Sequence, residues 1–351
     1  MHSTPGYCVL TTLGSTNGQI FGWDGINFDA ERVALVRSHV KYRFNLLRQG
    51  VKVADDLKVF VKQEPHKLTK LAQGRLRLIS AVSLIDTMID RILFAWLARK
   101  QLQTVGHTPC LVGWSPVKGG WRQIQNRFGN MPVNCLDRSA WDWSVRGYLV
   151  DMWKEFLIEL PVNPPQWWID MVKLRMDILF DRPWFKFEDG TRVQQGTKGV
   201  MKSGCFLTIL LNSLSQSMLH YIVNSRCNKP LTLNQPYSIG DDTVQEAMPW
   251  LIDYVHHLED LGVVVKGAKV QHWVEFAGFC FDGKTCYPAY WQKHLFNLRH
   301  TPELRDTLRS YQFLYVNEPV MYKFISKLAC EIGPDSVLTR REALEIMNQS
   351  D

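Results

Sequence analysis

Between residues 29 and 47 apolar side chains recur at helical spacing: Val33, Val36, Val40, Phe44 and Leu47 share one face, and Arg37, Lys41, Arg43 and Arg48 lie on or near the other. The pattern predicts an amphipathic helix with a basic side. The stretch before it, to Asn27, is rich in Gly and Asn and reads as loop. Period two then replaces period 3.6. Residues 57–64 (LKVFVKQE) and 75–80 (RLRLIS) alternate as half-buried strands do, and a Ser83-x-x-Asp86 cap opens a helix through Ile85, Met88, Ile89, Ile92, Leu93 and Trp96. Residues 133–136 form a short apolar strand ending in Asp137, followed by helices at 145–160 and 165–180. Two alternating runs around Asp189-Gly190 predict a hairpin. A further helix carries Leu207, Leu210, Leu211, Leu214, Met218 and Ile222, and others are expected at 250–261 and from Trp291 onward, polar-faced and ending in a frayed tail. Short strands are expected at 263–265 and 273–281, the second turned into a hairpin by Asp282-Gly283.

Three stretches carry more than packing. Tyr237-Ser238-Ile239-Gly240-Asp241-Asp242-Thr243 is an apolar run, a glycine and an extended run, hence a hairpin with two carboxylates at its tip. Adjacent carboxylates repel unless a cation lies between them, so the tip is either a divalent-metal site or a solvated turn. Lys58, Lys62, His66, Lys67, Lys70, Arg75 and Arg77 fall within twenty residues, and period two places Lys58/Lys62 and Arg75/Arg77 pairwise on one face. That density favours phosphate binding over a merely solvated strand edge. Ser203-Gly204 closes a Gly-rich loop, and Thr208 and Asn212 follow one helical turn apart on one face. Polar groups on an otherwise apolar helix are costly unless partnered or functional.

Composition narrows the class. A chain of 351 residues with 46% hydrophobic content folds around a sizeable core. Its 41 Lys+Arg against 34 Asp+Glu, a net +7, favours a polyanionic partner. Eight cysteines without a Cys-x-x-Cys pair fit neither a zinc module nor a disulfide scaffold, which suggests a reducing compartment. Asp86, Asp90 and Asn212 interrupt the apolar stretches before the ~20 residues a membrane span needs, so no transmembrane segment is expected.

The joint order of the basic strand-loop-strand, Asp137-x4-Asp142, Ser203-Gly204-x3-Thr208-x3-Asn212 and Gly240-Asp241-Asp242 resembles the RNA-dependent RNA polymerases of positive-strand RNA viruses. The wording of the basic region (VKQEPHKLTKLAQGRLRLIS) is most similar to the sobemovirus, polerovirus and sobemo-like group. The resemblance implies an α+β right-hand polymerase with a ferredoxin-like antiparallel palm. Fingers are expected at 1–130 and 161–200, palm at 131–160 and 201–287, and a small helical thumb at 288–351. It further implies that Asp137, Asp241 and Asp242 bind two magnesium ions, or manganese. Lys62, Arg75 and Arg77 would hold the incoming triphosphate, and Asp142, Ser203, Thr208 and Asn212 the nucleotide. Lys269 would be the general acid, with Lys266 as the alternative. Ser3, Thr4, Pro5 and Gly6 resemble the motif at which template enters, Gly204 also faces template or primer, and Phe279 and Cys280 lie in the primer-grip hairpin. Implied partners are RNA template, nascent RNA, nucleoside triphosphates and other viral replication proteins, at replication complexes in the host cytoplasm. Because fingers sequence precedes the first motif in such enzymes, the chain is expected to be an incomplete polymerase.

Two other classes compete. A reverse transcriptase shares the aspartates but excludes a 2′-hydroxyl with a bulky side chain, where Asp142 stands here. A non-catalytic RNA-binding protein needs only the basic patch.

Overall fold

A computed structural model describes residues 1–66 and 68–349. Its strands, in chain order, are β1 (Leu57–Val61), β2 (Leu78–Ala81), β3 (Val133–Arg138), β4 (Trp184–Lys186), β5 (Arg192–Gln194), β6 (Tyr237–Ile239), β7 (Asp242–Glu246), β8 (Val265–Gly267), β9 (Val270–Gln271), β10 (Val274–Phe276), β11 (Phe279–Phe281) and β12 (Cys286–Pro288). The chain folds as two compact units, one of residues 1–100 and 140–211, the other of 101–139 and 212–351.

In the first unit β1 pairs antiparallel with β2 and parallel with β4, giving the order β2-β1-β4-β5. The helix Ala30–Arg48 begins where Asp29 accepts from Arg32 N, as its apolar periodicity predicts. The long helix Leu84–Gln103 starts at Ser83, whose Oγ accepts from Asp86 N at 3.2 Å. It is tied to Gln166–Phe180 by a buried bidentate pair, Arg175 Nε and Nη2 to Asp90 at 2.6 and 3.1 Å. Removing either partner of such a pair typically costs about 3–5 kcal/mol, because it strands the other charge. The opening stretch is not all loop: a 3-10 turn at Val9–Leu13 and a helix at Asn17–Phe21 bury Leu10 and Ile20 against Val36, Leu84 and Ile85. Its polar composition concealed them, since two apolar anchors suffice for elements this short.

The second unit holds a mainly antiparallel sheet in the order β6-β7-β3-β8, with β9 also on β3, and a meander β10-β11-β12. Leu111, Ile124, Phe128, Val133, Val244, Val274, Phe276 and Phe281 form its core. Three sequence expectations shift here. The strand read at 273–281 is two strands, because Ala277 and Gly278 both take positive φ (52° and 80°) and turn the chain within it. The strand expected at 263–265 runs instead from Val265 to Gly267, against β3. The C-terminal helices Trp291–His300, Leu304–Leu314, Pro319–Ile332 and Arg340–Asn348 are not merely polar-faced: Leu298, Leu308, Tyr315, Ile325 and Ala329 make a core of their own. Of the tail expected to fray, residues 350 and 351 lie outside the described residues.

Candidate active site

Asp137 is exposed because β3 emerges there. Val133, Asn134 and Leu136 are buried, and at Asp137 the side chain stands 73% accessible. Asn134 fixes the strand on both sides: its Nδ2 donates to Lys269 O at 3.1 Å and its Oδ1 accepts from Met248 N at 3.2 Å. The β6–β7 turn brings the next two carboxylates alongside. Gly240 sits at φ +63° with open space where a Cβ would stand, so the turn needs glycine for its backbone angle. Ser213, on the helix Thr208–Arg226, holds the hairpin twice: its Oγ accepts from Gly240 N at 2.7 Å and its carbonyl from Ser238 Oγ at 3.0 Å.

Asp137, Asp241 and Asp242 line one cavity of about 360 Å³ together with Cys135, Leu136, Gln271, Glu275 and Tyr290. Asp242 Oδ2 accepts from Ala277 N at 2.7 Å. Burial pushes the Asp242 carboxyl up to about 6, with Asp241 adding to the rise and the Ala277 N–H and Arg138 opposing it. Beneath the turn Arg138 is 4% exposed, and its Nη1 donates to Leu136 O, Asp241 O and Thr243 Oγ1 at 3.2, 3.3 and 2.9 Å. Burial lowers its pKa while the three carboxylates support its charge. Tyr290 donates its hydroxyl to Glu275, which holds the phenol above its ordinary value. Lys266 Nζ stands 3.7 Å from Asp137 Oδ2, whereas Lys269 is exposed nearby in sequence with its carbonyl on Asn134.

Carboxylates in one cavity are hard oxygen donors that suit magnesium or manganese, and a divalent cation there would favour the ionised form of Asp242 against the burial, and the smaller Asp241 and Glu275 repulsion, that raise its pKa. Among the described residues no three His, Cys, Asp or Glu side chains converge closely enough to grip an ion. Arg138, Glu275 and Tyr290 were not singled out from sequence. Arg138 adjoins Asp137 in the quoted motif, but nothing local says that an arginine there turns inward.

The remaining expected residues sit as follows. Ser203 and Ser80 exchange hydrogen bonds, Ser80 N to Ser203 Oγ at 3.0 Å and Ser203 N to Ser80 Oγ at 3.2 Å, and Gly204 N donates to Ser80 O at 3.0 Å. Asp142 and Ser203 line a second cavity, about 340 Å³, with Phe185, Val193, Gln195 and Met201 among its walls. Thr208 Oγ1 donates to Lys202 O at 2.6 Å and to Cys205 O at 2.8 Å, and Asn212 is buried in the same helix with its carbonyl on Gln216. The basic stretch is not of one sign: Glu64 bonds Lys62 Nζ at 2.8 Å and lies 3.6 Å from Arg77. Arg75 and Arg77 precede β2 rather than belong to it, Arg75 N bonding Lys70 O at the end of the short helix Leu68–Ala72. Lys67 lies outside the described residues. Ser3 accepts from Asn17 through its carbonyl and its Oγ, both at 3.0 Å. Thr4 Oγ1 accepts from Gly6 N, and Pro5 O from Leu84 N at 2.8 Å. Phe279 meets Trp114 edge to face at 6.2 Å, and Cys280 pairs across the meander with Glu275 and Tyr287.

Residues 3–281 match the viral RNA-dependent RNA polymerase family. The chain belongs to that family. Its relatives include the replicase polyprotein P2AB of southern bean mosaic virus, 27% identical over 72% of this chain and 26% of that protein. Protein P1-P2 of potato leafroll virus is 27% identical over 73% of the chain and 24% of its own length. The RNA-directed RNA polymerase of mushroom bacilliform virus is 26% identical over 73% and 63%. The chain spans about a quarter of the length of the first two of these relatives. The likeness to the sobemovirus and polerovirus group, read from the basic region, therefore holds over most of the chain. Among the described residues no helix is long and apolar enough to cross a membrane.

Proposed function

We propose that the chain carries out template-directed RNA synthesis, joining a nucleoside triphosphate to an RNA 3′-hydroxyl during viral genome replication. The observation that carries the reading is the shared cavity of Asp137, Asp241 and Asp242, in a family member whose matched region contains all three. These carboxylates would hold two divalent cations. Bound there, the cations would activate the 3′-hydroxyl and neutralise charge on the triphosphate. The protein's own part is to hold the carboxylates on a strand end and a tight turn. Arg138 supports this from below by fixing the Asp241 carbonyl and Thr243.

Lys62, Arg75 and Arg77 would receive the triphosphate, where charge-assisted bonds suit phosphate oxygens. That role requires Glu64 to release Lys62 and Arg77, or to orient them. Asp142, Ser203, Thr208 and Asn212 would recognise the ribose and nucleotide, since a site built to pair a 2′-hydroxyl rejects a sugar lacking it. Lys269 would protonate the leaving pyrophosphate. Lys266, held beside Asp137, is better placed to occupy the cavity's charge until a cation enters. Ser3 to Gly6 and Gly204 would guide template, and Phe279 and Cys280 the primer end.

In this reading residues 1–130 and 161–200 serve as fingers, 131–160 and 201–287 as a ferredoxin-like palm and 288–351 as thumb, acting with other viral replication proteins at cytoplasmic replication complexes. Packing and function need not divide a chain in the same places. The test is primer extension on an RNA template with ribo- or deoxynucleotides, with and without magnesium. Magnesium-dependent extension that prefers ribonucleotides supports the reading, and RNA binding without extension reduces the protein to an RNA-binding module.

A further inference from the structure

Lys202 has 0% accessible surface, and among the described residues the partners of its ammonium are neutral. Its ammonium donates to three neutral oxygens, Gln195 Oε1 at 2.5 Å, Val200 O at 2.7 Å and Gly199 O at 3.0 Å. The rings of Phe180 and Phe185 cover it at 5.1 and 5.6 Å. Gln195 completes the cage, its Nε2 donating to Thr197 O, Phe180 O and Gly199 O at 2.6, 3.0 and 3.1 Å. A lysine is normally kept out of such a place, and burial lowers this one to about 7. A side chain retained against that penalty has something to hold.

What it holds is a strained loop. Val200 takes φ +53°, unfavourable for a β-branched residue, and a Cβ at Gly199 (φ +129°) would stand 2.3 Å from Val145 O. On one side of Lys202 the backbone is tied to the segment carrying Asp142, by Val200 N to Val145 O and Met201 N to Asp142 O, both at 2.8 Å. On the other side it is tied to β2 by the Ser203–Ser80 exchange. Asp142, Ser80, Ser203, Met201 and Gln195 all line the 340 Å³ cavity. The two tethers that set its polar walls thus flank one residue.

We propose that Lys202 is a positioning residue for this cavity: its three-oxygen clamp fixes the 199–204 loop so that Asp142 and Ser203 face a nucleoside sugar at the right separation. The functional half rests on the ribose reading above. The structural half does not.

Lys202→Met keeps an unbranched, flexible side chain as far as the ε carbon and removes the ammonium. Two measurements separate the two halves. Amide exchange at Met201, Ser80 and Ser203 should quicken at least tenfold in this variant, with the β6–β7 hairpin unaffected. The ratio of ribo- to deoxynucleotide kcat/KM should narrow at least as far as in Asp142→Ala. Unchanged exchange in folded Lys202→Met overturns the clamp. An unchanged ratio in Lys202→Met beside a narrowed one in Asp142→Ala overturns the positioning role. An unchanged ratio in Asp142→Ala overturns the ribose reading instead, and exchange then decides Lys202 alone. Should Lys202→Met not fold, Gln195→Leu, which removes one oxygen of the three, should move both readouts the same way by less; no movement in either overturns the proposal.

Discussion

The Asp137/Asp241/Asp242 cavity and the Ser203-Gly204 loop are both built around a short motif and a glycine, but they are finished to opposite degrees. In the loop, the lysine, the glutamine and both serines have their polar atoms bonded to named protein partners. At the cavity, three carboxylates share a space with Glu275, and burial with mutual repulsion holds Asp242 well above its ordinary pKa. A structure that satisfies itself is a frame. A cavity that crowds like charges is stabilised by whatever brings positive charge into it, which is the physical basis for the metal-binding proposal above.

The largest expected effect breaks the unfinished side. Asp241→Ala should lower nucleotide incorporation about a hundredfold to a thousandfold, the scale of losing an electrostatic stabiliser of the transition state. Because Asp241 is exposed at the turn, the melting temperature should stay within a few degrees of wild type. Activity within a few-fold of wild type would remove Asp241 from the chemistry.

Next comes the raised Asp242 pKa, caused first by burial and then by its carboxylate neighbours. The Asp242 carboxyl rises from 3.8 to about 6 on folding, a difference worth about 3 kcal/mol. Its sign follows from proton uptake. Between pH 4 and 6 the folded state binds the proton more tightly than the unfolded state, so this group's contribution makes stability fall as pH rises through that window and level off above it. Asp242→Asn should flatten that decline, and magnesium should oppose it in wild type by favouring the ionised form. Urea unfolding at several pH values checks both, and a wild-type curve rising steadily from pH 4 to 6 with no difference from Asp242→Asn would refute the account.

A smaller effect belongs to the basic stretch. If Arg75 and Arg77 hold the triphosphate as proposed, replacing either with Ala would remove a charge-assisted contact of about 1.5–3 kcal/mol, and nucleotide KM should rise between about tenfold and a hundredfold. Arg77 is 64% exposed and shared with Glu64, so its loss should fall at the lower end. A change in RNA affinity alone would assign the stretch to the RNA backbone.

The same contrast governs what could be read in advance. The carboxylate hairpin was legible because each of its requirements is local: an apolar run, a residue that tolerates positive φ, and a second extended run. The strand leading into Asp137 was legible for the same reason, although β3 runs one residue further, to Arg138, which pairs with Val265. Arg138, Glu275 and Tyr290 were not, because what they do depends on pairing between distant strands and on a tyrosine fifteen residues beyond its glutamate. Lys202 directly precedes Ser203-Gly204 in the Gly-rich loop, but a lysine there reads as solvated until Phe180, Phe185 and Gln195 are seen around it. The strand expected at 273–281 failed because its alternation runs unbroken through Ala277-Gly278, and only the backbone reveals the turn.

The smallest effects separate the two glycines. At Gly240 nothing lies within 4 Å of an added Cβ, but φ is +63°, so the cost of Ala is conformational, about 1–2 kcal/mol. At Gly204 the backbone angle is ordinary, but an added Cβ would stand 2.8 Å from Ser80 O and 2.9 Å from Ala81 Cα, both backbone atoms that cannot rotate away. There the cost is steric, about 1–3 kcal/mol, and it grows with side-chain size. The two cases share a magnitude and differ in rank order. Asparagine tolerates left-handed φ better than alanine, so Gly240→Asn should be milder than Gly240→Ala, while Gly204→Asn should be harsher than Gly204→Ala. Four melting curves decide it. The same order at both positions would mean that a single cause, strain or crowding, governs both motifs, and that the distinction between an open turn and a closed loop is mistaken.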